Sequence, residues 1–198
     1  MIQFSDREIA DERLVLDSKT ELYYLGHNLT LRRCSLVLRV PARALVITRS
    51  RLIDCAIDVK QELKNFRWDS VFLKGCRFTG RMMGNDFGRW PDSPPGGGIE
   101  DCDFSEALLD ACRFLDCDIS SLHLPRWPCF TILDPVRRSN ELSAVQWPSD
   151  IGLIARGFAK DPSSTVAVTY LAPALAKRRD TTPEAIRATL EKLDGVLY

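Results

Sequence analysis

The residues of this 198-residue chain best able to do chemistry are its seven cysteines, and three of them recur at a constant step of 21 residues. The pattern reads Leu31-Arg-Arg-Cys34-Ser-Leu36, Leu52-Ile-Asp-Cys55-Ala-Ile57 and Leu73-Lys-Gly-Cys76-Arg-Phe78, and a fourth copy, Ile99-Glu-Asp-Cys102-Asp-Phe104, follows 26 residues after the third. Spaced thiols suggest zinc or disulfides. A structural zinc site needs a closed tetrahedral set of Cys and His ligands, however, and Cys112 with Cys117 offers only a half-site, with His27 and His123 isolated. An odd cysteine count also fits a disulfide framework poorly. No metal and no cofactor is expected. Cys34, Cys55, Cys76, Cys102, Cys112 and Cys117 occupy one recurring slot, where cysteine serves as a small buried hydrophobe.

Other chemistry is sparse. Gly96-Gly-Gly98 lacks the lysine and the following helix of a phosphate-binding loop. The stretch from 99 to 118 carries Glu100, Asp101, Asp103, Glu106, Asp110, Asp116 and Asp118 against the single cation Arg113. Paired carboxylates such as Asp101 and Asp103 are the residue type for acid–base cleavage of a glycosidic bond, but that work needs a cleft to shift their pKa values. A solvated face is the expected role, and the chain is read as non-enzymatic.

The elements that must position these residues follow from a second rhythm. Around the fourth cysteine copy, large apolar residues fall every five places at Ile99, Phe104, Leu109, Phe114, Ile119 and Leu124, with Cys102, Ala107, Cys112 and Cys117 two places before four of them. A helix repeats every 3.6 residues and a strand every 2; a coil with about five residues per side turns one residue per side inward. Trp68, Leu73, Phe78 and Met83 supply another such turn, and Leu36, Pro41 and Val46 a degenerate one. Steps of about 21 residues are a solenoid period.

These residues resemble the pentapeptide-repeat family over about half the chain. The resemblance implies a mainly β fold, a right-handed quadrilateral parallel β-helix, and a role in binding rather than catalysis. About five coils are expected over 29–133, preceded by an N-terminal cap over 1–28 and interrupted by a Pro/Gly-rich loop over 84–98. Phe87, Arg89 and Trp90 in that loop have the composition of an interaction hot spot, although Trp90 folding back over the coil is an equal alternative. A helical extension over 134–198 is expected from three signals. Asp150 to Lys160 has one apolar face, Ser163 to Arg179 reads as a helix ended or kinked at Pro173, and Thr182-Pro183-Glu184 is a helix start followed by Ile186, Leu190 and Leu193. Its expected role is to cap the last coil, the alternative being a docking or dimerising surface.

Charge points to the partner. Lys plus Arg and Asp plus Glu both number 27, so no global bias designates nucleic acid. Locally, residues 31 to 90 hold 13 basic and 5 acidic side chains. Arg39, Lys60 and Arg81 stand 21 apart and should stack as a column of cations on one outer edge, a landing strip for an acidic partner. No apolar stretch is long enough to span a bilayer and no signal peptide is visible, so a cytoplasmic location is expected. The reading is a protein-binding module that resembles bacterial immunity proteins and neutralises a toxin domain, with Arg39, Lys60, Arg81, Phe87, Arg89, Trp90, Asp101 and Asp103 as contact residues. The alternative is a DNA-mimic that protects a topoisomerase. It needs a long acidic rod, and the acidic patch here covers about one coil. The oligomeric state is open.

Overall fold

In the computed structural model, which describes residues 1–93 and 95–198, the first two-thirds of the chain winds into a parallel β-solenoid of about four turns. Two all-parallel ladders carry it. One joins Ile2–Phe4 and Glu8–Ala10 to Tyr23–Arg32, then Leu45–Ile53, Val71–Lys74 and Gly98–Glu100. The other runs Arg13–Leu16, Ser35–Leu38, Ala56–Lys64, Arg77–Met83 and Ala107–Asp110. A third sheet starts where Asp86–Gly88 pairs in parallel with Cys112–Leu115.

The 21-residue step is the register itself. Leu31, Leu52, Leu73 and Ile99 are successive partners in the first ladder, and Leu36, Ile57 and Phe78 in the second. All are buried, because a period of one full turn puts the same side chain inward on every coil. Between the two ladders the chain turns a corner through a residue with positive φ: Arg33, Asp54, Gly75 and Asp101. The cysteine follows immediately. Cys34, Cys55 and Cys76 donate their thiols to the carbonyls of Ile9, Leu31 and Leu52 on the coil before, at 3.4, 3.5 and 3.2 Å. They thus satisfy backbone acceptors at a bend where ladder bonding lapses. Asn85 does the same at the next corner, donating to the carbonyls of Leu63 at 2.8 Å and Met83 at 3.0 Å.

Several expectations are corrected. Residues 1–28 contribute strands to both ladders and so build the first turn rather than cap it, and the turns number about four. The degenerate coil turns Leu38, Val40, Leu45 and Ile47 inward, while Pro41 and Val46 are only half-buried. Met82, not Met83, fills the inward slot. Its ladder partner is Leu63, whereas Val59 pairs with Gly80, so Lys60, Gln61 and Glu62 stand opposite Arg81 alone. This bulge shortens the step on one side and shifts everything after it. Gly80 is the hinge: its φ is +92°, and a Cβ there would lie 2.0 Å from the carbonyl oxygen of Val59. Gly80→Ala is therefore expected to cost about 1–3 kcal/mol, measured as a lower urea midpoint; an unchanged midpoint would mean the bulge relaxes freely.

The C-terminal third is a mixed cap. Thr165–Leu171 lies antiparallel to Cys112–Leu115 and to Cys129–Leu133, with Val196–Leu197 at the edge. Short helices Ser139–Ala144, Gly152–Gly157, Ala172–Arg178 and Pro183–Leu190 pack on this sheet around Phe130, Trp147, Phe158 and Tyr170. The helix expected over 163–179 is thus a strand followed by a helix, with Pro173 in the first helical turn instead of at a break. The start at Thr182 is as expected: its side chain accepts from the Ala185 N–H at 3.1 Å.

Candidate interaction site

The eight residues singled out from sequence do not converge on one site. Phe87 is excluded as a contact residue: it lies in the strand Asp86–Gly88, is 0 % exposed, and stacks among Trp68, Phe78, Phe104 and Phe114. The projecting segment shrinks accordingly to 89–97, of which Pro94 lies outside the described residues. Trp90 folds back over the coil. The guanidinium carbons of Arg67 and Arg113 lie 4.7 and 5.1 Å from the centroid of its ring, and Ser93 donates to the buried Asp69, which also accepts from Arg67 at 2.6 Å. The segment is strapped down by cation–π and charged hydrogen bonds. Arg89 is exposed and stands 3.8 Å from Asp116.

Asp101 sits exposed at a corner, with φ +52°. Asp103 lies on the second ladder's outer face, 3.6 Å from Arg77, and bridges to His123 through the backbone. Partial burial works against ionisation of Asp103, but hydrogen bonds to Ser105 and the charges of Arg77 and His123 hold its carboxyl below the ordinary value. A carboxylate lowered in this way is ionised throughout neutral pH, the opposite of what a general acid needs.

The thiols are equally committed. Cys34, Cys55, Cys76, Cys102, Cys112 and Cys129 are buried, and Cys117, expected in the inward slot, is half-buried. Burial, reinforced by Asp116 and Asp118, pushes the Cys117 thiol up to about 12. A thiol held protonated in this way is a poor nucleophile near neutrality. Among the described residues no group of three or more His, Cys, Asp or Glu could hold a metal ion.

The charge reversal along the chain resolves into pairing across coils. Lys74 meets Glu100 at 3.1 Å, Arg77 meets Asp103, Arg89 meets Asp116, and Arg113 bonds Asp86 at 2.8 Å. A basic coil stacked on an acidic one is largely neutralised before any partner arrives. The cation column itself is uneven. Arg39, Lys60 and Arg81 follow the aligned residues Leu38, Val59 and Gly80 and so share one edge, as the spacing predicts. Lys60 is held by Asp58 at 2.8 Å, however, and Arg81 by Glu62 at 3.5 Å, whereas Arg39 forms no ion pair among the described residues.

Sequence reasoning missed the neighbours of Arg39. The side that carries the third sheet later in the solenoid is closed in the first turns by arches at 17–22 and 39–44, the second containing a short 3-10 turn at Ala42–Ala44. Between these arches and the Lys60–Glu62 bulge lies an open groove of about 520 Å³, lined by Asp17, Lys19, Arg39, Arg43 and Gln61 among others. Lys19 is off the 21-residue step; Arg43 does stand one step before Lys64, a pair of cations whose spacing could have marked it.

The fold defines the class of this protein: a parallel β-solenoid with a mixed α/β C-terminal cap. Comparison of the chain with protein-family models, with curated proteins and with solved structures finds no match.

Proposed function

We propose that this chain is a degenerate pentapeptide-repeat β-helix that works as a non-enzymatic protein-binding module in the cytoplasm, in the manner of immunity proteins that occlude a toxin's active site or substrate groove. One observation carries the reading: a rigid solenoid edge presents exposed cations at Arg39, Lys60 and Arg81, with Arg39, which forms no ion pair among the described residues, at the end where a groove opens. Rigid, preformed charged surfaces bind with little ordering cost and recruit oppositely charged partners. The five-residue succession Ile99, Phe104, Leu109 and Phe114, each at most 4 % exposed, supports the pentapeptide-repeat assignment. Among the described residues no helix is long and apolar enough to cross a membrane.

The test is co-expression with the protein encoded by the neighbouring gene. An immunity protein restores growth where that neighbour is toxic and co-purifies with it; growth arrest that the chain does not relieve removes the reading. Reversing Arg39, Lys60 and Arg81 together to Glu is expected to weaken the complex by about tenfold or more. Because all three side chains are exposed, the variant should lose no more than about 1 kcal/mol of stability, from repulsion at Asp58 and Glu62. Undiminished affinity would make the edge a merely solvated one.

A further inference from the structure

We infer that the groove between the 17–22 arch, the 39–44 arch and the Lys60–Glu62 bulge is a binding site for a carboxylate-bearing segment of a partner protein, with Arg39 and Arg43 as its anion-holding residues. This rests on the protein-binding reading above only for the choice of occupant.

The argument begins with what the cations of the coils already do. Ten of them, from Arg32 to Arg113, are engaged by carboxylates at 3.8 Å or less. Against that background Lys19, Arg39 and Arg43 line one concavity, and none of them forms an ion pair or a side-chain hydrogen bond among the described residues. The Gln61 amide, lifted into the same groove by the bulge, is also without a hydrogen-bond partner there. A bulge re-aims side chains in this way. Arg13, Arg49 and Arg51 on the same coils also lack a carboxylate partner among the described residues, but none of them lines this groove; what sets the groove apart is that four donors, an ammonium, two guanidinium groups and an amide, converge on it.

A second groove of about 440 Å³ shares Pro41, Arg43 and Gln61 with the first and runs on toward Glu62 and Lys64. Together they form one continuous open concavity, with Arg43 and Gln61 common to both halves. The charge balance selects the occupant. The first groove sets three cations against Asp17, and the second adds Glu62 already held by Lys64 at 3.0 Å. That modest excess suits a segment with one or two carboxylates, which guanidinium groups bind in a planar, bidentate manner. A continuous phosphate backbone would bring repeated negative charge against Asp17 and Glu62.

The test uses the full chain and a fluorescently labelled peptide of alternating Ser and Glu, with its Ser-Gln counterpart and inorganic polyphosphate as the other probes. Fluorescence anisotropy should show saturable binding of the Ser-Glu peptide, no saturable binding of the Ser-Gln peptide, and weaker binding of polyphosphate. Arg39→Glu combined with Arg43→Glu should raise the dissociation constant by about tenfold or more, and Lys160→Glu combined with Lys177→Glu, the same change of net charge on the cap, by less than about twofold. All four positions are exposed, and thermal melting of each variant confirms that it is folded. The inference is overturned if the Ser-Glu peptide does not saturate, if the Ser-Gln peptide or polyphosphate binds as tightly, or if both pairs of reversals weaken binding equally. Because the assay contains no toxin, it can succeed where protection in cells fails, and the reverse.

Discussion

Phe87→Ala is expected to destabilise the protein by about 3–5 kcal/mol, seen as a large fall in the urea midpoint. Its ring lies 4.9 Å from that of Phe104, 5.3 Å from Phe114, 5.5 Å from Phe78 and 6.0 Å from Trp68, centroid to centroid. Truncation would therefore open a cavity where two consecutive coils meet, with rigid backbone on every side and little room to collapse. Phe87→Leu should cost much less, because it keeps most of the volume. The pair of variants separates packing from contact: if Phe87→Ala unfolded at the wild-type midpoint yet lost partner binding, the residue would be a surface anchor and the stacking wrong.

The second large effect is expected at Arg113. Its Nε and Nη2 donate to Asp86 at 2.8 and 3.1 Å, and its Nη1 donates to Asp161 at 2.8 Å. One guanidinium thus ties the third sheet to the cap. Burial works against its charge, but Asp86 and Asp161 outweigh that and raise its pKa above the ordinary value, so it is a cation at every pH the fold survives. Arg113→Ala leaves the Asp86 side chain, 7 % exposed, as an uncompensated anion. The expected cost is about 3–5 kcal/mol, toward the lower end because Arg113 is itself 27 % exposed. Adding Asp86→Ala should recover part of that loss. A double variant whose cost equals the sum of the two single costs would show that the pair is not coupled. The Arg113 change should also release Trp90, which loses one of its two flanking cations, and speed hydrogen exchange in the 89–93 strap.

The parts of this fold legible in the sequence are those set by stacking. Leu52, Leu73 and Ile99 had to point the same way because one turn separates them, and the cysteine after each corner had to be small and buried for the same reason. What the step of 21 could not convey was the excess of residues at Lys60–Glu62. Arg39, Lys60 and Arg81 keep the step, while Leu63 to Met82 loses two residues. The error therefore surfaced downstream, at Met83 and Phe87, where the inward slot had moved. A loop reading of Phe87 followed from its Pro/Gly-rich surroundings, and only ladder pairing with Phe114 shows that the chain completes a coil before it leaves. The helical expectation fails at the strand Thr165–Leu171 for a different reason. Val168, Leu171 and Leu175, at i, i+3 and i+7, also fit a helical stripe, and pairing on both sides of Thr165–Leu171 decides against it. At the surface the cations are legible but not all of their engagement, since Glu62 stands opposite Arg81 only because of the bulge.

The antiparallel strand against Cys112–Leu115 has a consequence for how such a chain can change length. In a parallel ladder each coil presents its successor with the same template, so growth is indifferent to how many coils precede it. Thr165–Leu171 runs the other way and acts as a chain terminator: no further coil can be laid on that sheet in the old register. Lengthening or shortening the rod is therefore possible only by adding or deleting whole 21-residue units internally, most readily among the coils between Cys34 and Cys76, where corner, thiol and ladder repeat on one step and the Lys60–Glu62 bulge is copied within the unit. A duplication of residues 54–74 should be tolerated as a fifth turn, with the terminator and the Arg113 tie between third sheet and cap carried along unchanged.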